Sequence, residues 1–146
     1  MNIVIGADHA GYELKGSIRE RLEAKGYKVE DVGTHSSESV DYPDYAVKAC
    51  EKVVAQKAGL GILVCGSGIG VSITANKIKG IRAANCITEE MAELARKHNN
   101  ANVLTLGARL VDEATAEKIV DTFIRTEFEG GRHEKRVDKI HSLTGC

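Results

Sequence analysis

Short apolar runs alternate with helix-length amphipathic segments along the whole chain, and this alternation restricts the fold more than any other feature. The strand candidates lie at residues 3–6, 27–33, 61–65, 82–86 and 103–107. Between them, apolar residues recur every three or four positions, as Leu14, Ile18 and Leu22 do before Gly26. Strands separated by helices of this length pair in parallel through right-handed crossovers. The pattern predicts one domain over residues 1–146, a three-layer α/β/α Rossmann-like sandwich with a five-stranded parallel sheet.

Local signals mark the ends of several predicted helices. Pro43 suits the first position of the second helix. A third helix is expected to run from the glycine-rich segment to about residue 78, and Thr88 can cap the fourth. Two glycines at 130–131 break the fifth helix, so a short final helix is expected after them.

Composition and charge exclude several classes of partner. Hydrophobic residues make up 42% and charged residues 28% of the chain, which is ordinary for a globular protein. The formal net charge is −1 without a strongly basic block, so nucleic acid is not expected as a partner. The apolar runs have strand length and no leader precedes the first of them, so neither a membrane span nor a secretion signal is expected. The four cysteines are scattered without a C-x-x-C pair, which argues against a zinc site or disulfides and favours a reducing cytoplasm.

The segment from Ile62 to Ser72 carries the strongest chemical signal. An apolar run ends in Cys65, and glycines follow at every second position before helix-compatible sequence begins. This pattern is typical of a buried strand, a tight turn and a helix start. Glycines let the backbone approach a ligand closely, and a helix start offers unpaired N–H groups. The loop therefore sets a candidate nucleophile or base beside a candidate cradle for an oxyanion or phosphate.

Two interpretations of Cys65 stay open on position alone. A cysteine at a strand end is often a small buried hydrophobe, whereas the glycines and the helix start favour a reactive thiolate. A tight turn explains one or two of the glycines, and three of them suggest amides that face a ligand. The segment is not a nucleoside triphosphatase loop, a G-x-G-x-x-G fingerprint or a G-x-S-x-G elbow. Cys50 and Cys86 are expected in the core, and Cys146 is terminal.

The predicted topology indicates which other polar residues could lie near the cysteine loop. Ligands of such folds bind beyond the carboxyl ends of the strands, where strand order reverses, so the loops after strands one and three should meet. Asp8-His9 would then lie opposite the cysteine loop, although an aspartate at that place is also a common helix cap. His98 can compensate a helix dipole before an asparagine turn. Arg132 and Arg136 form either a solvated helix face or a phosphate clamp.

Five short motifs occur in one order and together carry a family resemblance. They are Gly6-Ala7-Asp8-His9-Ala10-Gly11, Asp41-Tyr42-Pro43-Asp44-Tyr45, Cys65-Gly66-Ser67-Gly68-Ile69-Gly70, His98-Asn99 and Glu129-Gly130-Gly131-Arg132-His133-x-x-Arg136-Val137. Over nearly the whole chain they resemble ribose-5-phosphate isomerase type B, in the family that includes galactose-6-phosphate isomerase subunits. Ser67 stands where many members have threonine, which keeps the hydroxyl. Cys65 assigns the chain to the branch with a cysteine base.

The resemblance implies interconversion of D-ribose 5-phosphate and D-ribulose 5-phosphate through an enediolate, with no metal and no organic cofactor. Cys65 would move the proton between C1 and C2, and the amides of residues 66–70 would stabilise the enediolate. Ser67 would hold or reprotonate the thiol, and His98 would open the sugar ring. The implied substrate contacts are Asp8 and Asn99 at hydroxyl groups, Tyr42, Gly66, Gly68, Ile69 and Gly70 along the sugar, and His9, Arg132, Arg136 and Arg109 at the phosphate.

The resemblance also implies a homodimer whose active site is shared between subunits, and it allows further assembly to a tetramer. His98, Asn99 and Arg109 would then come from the subunit next to the one that offers Cys65. The expected partners are a phosphorylated sugar and a second copy of the chain, with neither nucleic acid nor membrane.

Three other functions stay open from the sequence. Isomerisation of a six-carbon sugar phosphate, such as allose or galactose 6-phosphate, needs a longer pocket that the motifs do not reveal. A non-catalytic module that binds phosphosugars would keep Arg132, Arg136 and the glycines, but it would need neither Cys65 nor His98. A receiver-like signalling domain would want a phosphorylatable aspartate at the end of strand three, where this chain has the cysteine.

Overall fold

Five parallel strands form one sheet in a computed structural model that describes residues 1–55 and 57–146. The strands are β1 (Asn2–Ala7), β2 (Lys28–Asp31), β3 (Leu60–Cys65), β4 (Ala83–Asn85) and β5 (Val103–Gly107), in the spatial order β2-β1-β3-β5-β4. The helices of the described residues are α1 (Tyr12–Ala24), α2 (Tyr42–Val54), α3 (Ile69–Ala75), α4 (Glu89–Asn99), α5 (Glu113–Arg125) and α6 (Arg132–Thr144). The predicted α/β sandwich with a five-stranded parallel sheet is confirmed.

Helices cover both faces of this sheet, which explains why its central strands β1, β3 and β5 are largely apolar and buried. Helices α1, α4 and α5 bury side chains such as Leu22 and Phe123 on one face. Helices α2 and α3 bury others, including Cys50 and Val71, on the opposite face. All six residues of β3 are buried, as expected for the central strand of a parallel sheet that is covered on both sides.

Strand order reverses between β1 and β3, because the chain first adds β2 on one side of β1 and then β3 on the other. All strands are parallel, so their carboxyl ends meet at one edge of the sheet. We call this the carboxyl edge, marked by Ala7, Cys65 and Gly107, and the opposite side the amino edge, marked by Ala83 and Val103. Ligand sites of open α/β sheets lie at the carboxyl edge, at such a reversal.

Element boundaries differ from the predictions where side chains replace backbone pairing. Helix α3 ends at Ala75 rather than near residue 78, because the Asn76 side chain accepts a hydrogen bond from the Ala83 amide (2.8 Å) and donates one to the Ala83 carbonyl (3.0 Å). These bonds join the end of α3 to the start of β4. Strand β4 is shorter than predicted, and Cys86 lies just after it, buried. Helix α6, expected to be short, has 13 residues.

Some predicted capping signals are confirmed and others are not; Pro43, predicted as the first residue of the second helix, is the second residue of α2. The Thr88 hydroxyl accepts a hydrogen bond from the Met91 amide at 3.1 Å, as predicted, and Asn100 adopts the left-handed conformation (φ 46°) that ends α4. Asp8 does not cap α1, because the residue that precedes this helix is Gly11. Within the described ranges, every helix is too short or too polar to cross a membrane.

Candidate active site

The loops that follow β1 and β3 meet at the carboxyl edge, as the topology predicts. The Asp8 amide donates to the Val64 carbonyl at 3.3 Å, which joins the loop after β1 to the end of β3. A pocket of about 280 Å³ opens there, lined by Asp8, Tyr42, Cys65, Gly66, Ser67, Gly70, Arg109 and Leu110. Larger cavities lie along α6 (about 370 Å³) and along α1 (about 350 Å³), but Cys65 lines neither of them. Chemistry rather than volume therefore identifies the candidate site.

Cys65 ends β3 with its thiol at this pocket. The side chain is 4% exposed, and its Sγ accepts a hydrogen bond from the Gly68 amide at 3.2 Å. An N–H donor aimed at sulfur stabilises negative charge on that atom and fixes its position. Cys50 and Cys86 lack such surroundings, and burial raises their pKa values to about 12 and about 11. Of these three cysteines, Cys65 is the one that lines the pocket and accepts an amide hydrogen bond there.

Each of the three alternate glycines leaves room for a different neighbour. A Cβ on Gly66 would lie 2.9 Å from Nη1 of Arg109, and one on Gly70 would lie 2.6 Å from Cζ of Tyr42. Gly68 has a φ of 77°, and its Cβ would lie 2.8 Å from the Leu106 carbonyl carbon. The first and third glycines therefore let the guanidinium and the phenol pack directly on the loop, and the second lets the loop pass against β5.

The sequence predicts that the amides of residues 66–70 all face a ligand, but two of them already donate hydrogen bonds within the loop. The Gly68 amide is committed to the Cys65 sulfur, and the Ile69 amide donates to the Ser67 hydroxyl at 3.1 Å. In the described part of the chain, the amides of Gly66, Ser67 and Gly70 have no acceptor. These three remain for a ligand oxygen. Ile69, predicted as a substrate contact, has an exposed side chain outside the pocket lining.

The predicted contact between the Ser67 hydroxyl and the thiol does not form. The sulfur accepts its hydrogen bond from the Gly68 amide instead, and the hydroxyl caps the Ile69 amide. The turn from β3 into α3 brings the Gly68 amide back towards the Cys65 sulfur, whereas the Ser67 side chain points away from that sulfur. Ser67 still lines the pocket, where its hydroxyl can meet substrate.

Asp8 and His9 are both held by backbone amides at the carboxyl edge. The Asp8 carboxylate accepts from the amides of Ala10 (2.9 Å) and Gly11 (3.1 Å), so it shapes the turn before α1 instead of capping the helix. His9 Nδ1 accepts from the Val40 amide at 3.2 Å. Asp8 lines the pocket and His9 stands beside it, outside the lining.

Arg109 lies in its own chain's pocket, which corrects the expectation that it serves a neighbouring subunit. Its amide donates to the Gly66 carbonyl at 3.0 Å, and its guanidinium covers Gly66. The cause is the pairing of β3 with β5, in which Cys65 is opposite Gly107. The loop after β5 therefore passes directly beside the cysteine loop. Leu110, on the same turn, also lines the pocket and was missed by the sequence analysis.

His98 and Asn99 lie at the amino edge and do not meet Cys65 within one chain. Helix α4 runs back from the end of β4, so its last residues precede β5 rather than follow it. The four steps from Val103 to Gly107 alone span roughly 13 Å. The Asn99 carbonyl accepts from Nε of Arg82 at 3.2 Å, which holds the end of α4 near the start of β4.

Arg132 and Arg136 accompany His98 at the amino edge, so they do not fold over the pocket of their own chain. The Glu129 amide donates to the Lys97 carbonyl at 3.1 Å and brings the start of α6 beside α4. Both arginines are exposed there. His133 is a residue that the sequence analysis missed, although it adjoins Arg132 in a quoted motif; its ring stacks on His98 with centroids 4.2 Å apart.

Fold and pocket together define an α/β enzyme with a thiol at the switch point of its parallel sheet. The chain belongs to the Ribose/Galactose Isomerase family, whose model matches residues 3–140. It is 45% identical over 141 residues to the ribose-5-phosphate isomerase B of Escherichia coli K12, covering 97% of this chain and 95% of that protein. The family resemblance predicted from the five motifs is thus confirmed.

Solved structures agree with this assignment. Ribose-5-phosphate isomerase B of Clostridium thermocellum superposes with a TM-score of 0.98 at 50% identity, covering 99% of this chain and 98% of that one. The Mycoplasma genitalium ribose-5-phosphate isomerase B, solved with bound ribulose-5-phosphate, gives a TM-score of 0.95 at 46% identity, covering 99% of this chain and 96% of that one.

Proposed function

We propose that this chain interconverts D-ribose 5-phosphate and D-ribulose 5-phosphate, with the Cys65 thiolate as the base. The observation that carries the proposal is the Cys65 sulfur, held by an amide 3.2 Å away in a pocket that Asp8, Tyr42 and Ser67 also line. The relatives support the choice of substrate, because the E. coli relative is named for it and the M. genitalium structure holds the ketose product.

The reaction needs one base that works on two adjacent carbons. Cys65 takes the proton from C2 of the open-chain aldose, and the released electron pair forms the C1–C2 double bond of an enediolate. The thiol returns the proton to C1 while a hydroxyl proton moves from O2 to O1, which gives the ketose. Negative charge develops on oxygen, and the amides of Ser67 and Gly70, which have no acceptor among the described residues, would stabilise it without reorganisation.

We infer that the complete site is shared by two copies of the chain. The support is the separation of the Cys65 pocket from His98, Asn99, Arg132 and Arg136, which lie at opposite edges of one sheet. A second copy whose amino edge faces this pocket would supply the ring-opening imidazole and the phosphate-binding guanidiniums. The chain also exposes apolar side chains of the kind that a subunit interface covers: Ile69, Ile73, Ile87, Met91, Leu94 and Leu110. Two such dimers could assemble further as a tetramer.

We also propose a cytoplasmic location. All four cysteines are free thiols, three of them buried, which is usual in a reducing compartment. The proposed reaction uses no metal or organic cofactor, since the thiol, the amides and an imidazole supply every proton and charge that it moves.

The substrate proposal is tested by parallel assays on ribose 5-phosphate, allose 6-phosphate and galactose 6-phosphate with the purified protein. We expect the highest kcat/KM for the five-carbon sugar. Preference for a six-carbon sugar would replace the substrate but keep the isomerase. Tight binding of all three sugars with no turnover would overturn catalysis in favour of a binding module.

The ring-opening role of His98 has its own test, because the two substrates differ in ring chemistry. Ribulose 5-phosphate is acyclic, since the hydroxyl that would close its ring carries the phosphate, whereas ribose 5-phosphate is mostly cyclic. His98→Asn should therefore lower kcat for the aldose far more than kcat for the ketose, within the roughly 10²–10⁴-fold range of acid–base catalysis. Equal losses in both directions would remove His98 from ring opening.

A further inference from the structure

The imidazoles of His98 and His133 form a stack that the proposed chemistry has not used. Their centroids are 4.2 Å apart and their planes differ by 12°. His98 is half-buried, and the His133 side chain is 11% exposed. Two rings this close and this parallel restrict each other's rotation about the Cβ–Cγ bond, because turning either ring would drive it into its neighbour.

Backbone hydrogen bonds before and at the start of α6 hold the His133 ring against the His98 ring. The Glu129 amide donates to the Lys97 carbonyl at 3.1 Å, directly before His98. The His133 amide then closes a turn onto the Gly130 carbonyl at 3.1 Å. Gly130 and Gly131 both have positive φ values, 67° and 57°, which let the chain reverse into α6 within two residues. The turn thus fixes where α6 begins and which face of His98 it covers.

Metal binding does not explain the cluster. His98, Glu129 and His133 present possible ligand atoms within 4.8 Å of one another. A metal ion lies in the plane of each imidazole that binds it, about 2.0–2.1 Å from the nitrogen. Rings stacked at 12° have nearly parallel planes, so a single ion cannot lie in both. The arrangement suits contact between ring faces, which leaves the ring edges of His98 free.

We propose that His133 is a positioning residue that fixes the plane of the His98 imidazole for ring opening. The inference rests on the proposed function of His98 and adds a second histidine that itself touches no substrate. An acid–base group works only when its nitrogen is aligned with the bond that it serves, and small misplacements cost large factors in rate. The His133 ring provides that alignment from one side while His98 keeps its edges for the sugar.

The charges around His133 are consistent with this role. Burial lowers the pKa of His133, and the neighbouring His98 and Arg132 lower it further, while Glu129 opposes them. Arg136 on α6 acts in the same direction as Arg132. Lys97 precedes His98 on α4 and is paired with Glu93. A neutral His133 stacks on His98 without repelling the positive charge that His98 acquires when it accepts a proton.

The test compares His133→Leu with His133→Phe in both reaction directions. His133→Leu removes the planar partner, so kcat for ribose 5-phosphate should fall roughly tenfold while kcat for acyclic ribulose 5-phosphate changes less than about twofold. His133→Phe keeps a flat ring and should restore the aldose rate to within about threefold of the wild type. Val137→Ala, a buried change on the same helix, should lower stability without changing the ratio of the two rates.

Each outcome separates this inference from the function on which it rests. Equal losses in both directions for His133→Leu, or no rescue by His133→Phe, would overturn the positioning role. A direction-selective loss in His98→Asn with none in His133→Leu would leave ring opening by His98 intact and reject the inference alone. No direction-selective loss in His98→Asn would reject the proposed role of His98 itself.

Discussion

The two edges of the sheet hold their functional side chains in different ways. At the carboxyl edge, backbone amides fix the Cys65 sulfur and the Asp8 carboxylate, and glycines set the distances. At the amino edge, Arg132 and Arg136 are exposed, and the His98 ring stacks on that of His133. Proton transfer from carbon demands placement to a fraction of an ångström, which rigid backbone provides. Binding a phosphate tolerates long side chains that adjust to it.

The largest expected effect is loss of the base at the carboxyl edge. Cys65→Ala should lower kcat by roughly 10²–10⁴-fold and leave ligand affinity nearly intact, because the thiol acts in proton transfer rather than in ground-state binding. Steady-state kinetics and calorimetric binding of ribulose 5-phosphate check both parts. Cys50→Ala, which removes a buried thiol from α2, is the control and should cost about 1 kcal/mol of stability with unchanged kinetics. A Cys65→Ala variant with wild-type turnover would contradict the mechanism.

Mixing inactive variants tests whether the two edges of different chains work together. Cys65→Ala and His98→Ala subunits, once exchanged, should recover roughly a quarter of wild-type activity, because half the dimers are mixed and each has one intact site of two. The matched control combines Cys65→Ala with Arg109→Ala. Both of these lesions lie in one chain's pocket, so every site keeps at least one of them and no activity should return. Recovery in the control, or none in the test pair after verified exchange, refutes the shared arrangement.

A smaller effect is expected for the loop hydroxyl at the carboxyl edge. Ser67→Ala should lower kcat/KM by up to about tenfold, the worth of one hydrogen bond to substrate. Ser67→Thr retains the hydroxyl and should remain near the wild type. If all three versions have equal kinetics, the hydroxyl that lines the pocket takes no part in the reaction.

The smallest expected effect comes from a methyl group added at Gly70, beside Tyr42 at the opening of the pocket. Gly70→Ala places a methyl group 2.6 Å from Cζ of Tyr42, so the exposed phenol must turn away and KM should rise about threefold. Gly16→Ala, in the middle of α1 with open space around it, is the control and should stabilise the fold by about 0.5–1 kcal/mol at unchanged KM. Identical KM values for both variants would show that the position of Tyr42 is irrelevant to binding.

Much of the carboxyl edge could be predicted from the sequence, because local pattern determines it. The apolar run before Cys65 gave the end of β3, and parallel pairing then brought Asp8 to the same place. Contacts between elements that are distant in the sequence were less predictable at both edges. That Arg109 shares a pocket with Cys65 depends on β5 lying beside β3, a neighbour relation that no local pattern encodes. The stack of His133 on His98 likewise depends on how α6 docks against α4.

The crowded glycines of the carboxyl edge have a consequence for how such a site can evolve. A Cβ on Gly107 would lie 2.5 Å from the Ser67 carbonyl oxygen, and one on Gly11 would lie 2.5 Å from that of Val64. Main chain packs on main chain beneath the pocket, so a substitution there displaces the backbone before it can reshape the pocket. Changes of substrate preference are therefore expected at the opening of the pocket, through Tyr42 and Arg109. Substitutions at the base of the pocket should therefore disturb the fold, whereas substitutions at its opening should change which ligands bind.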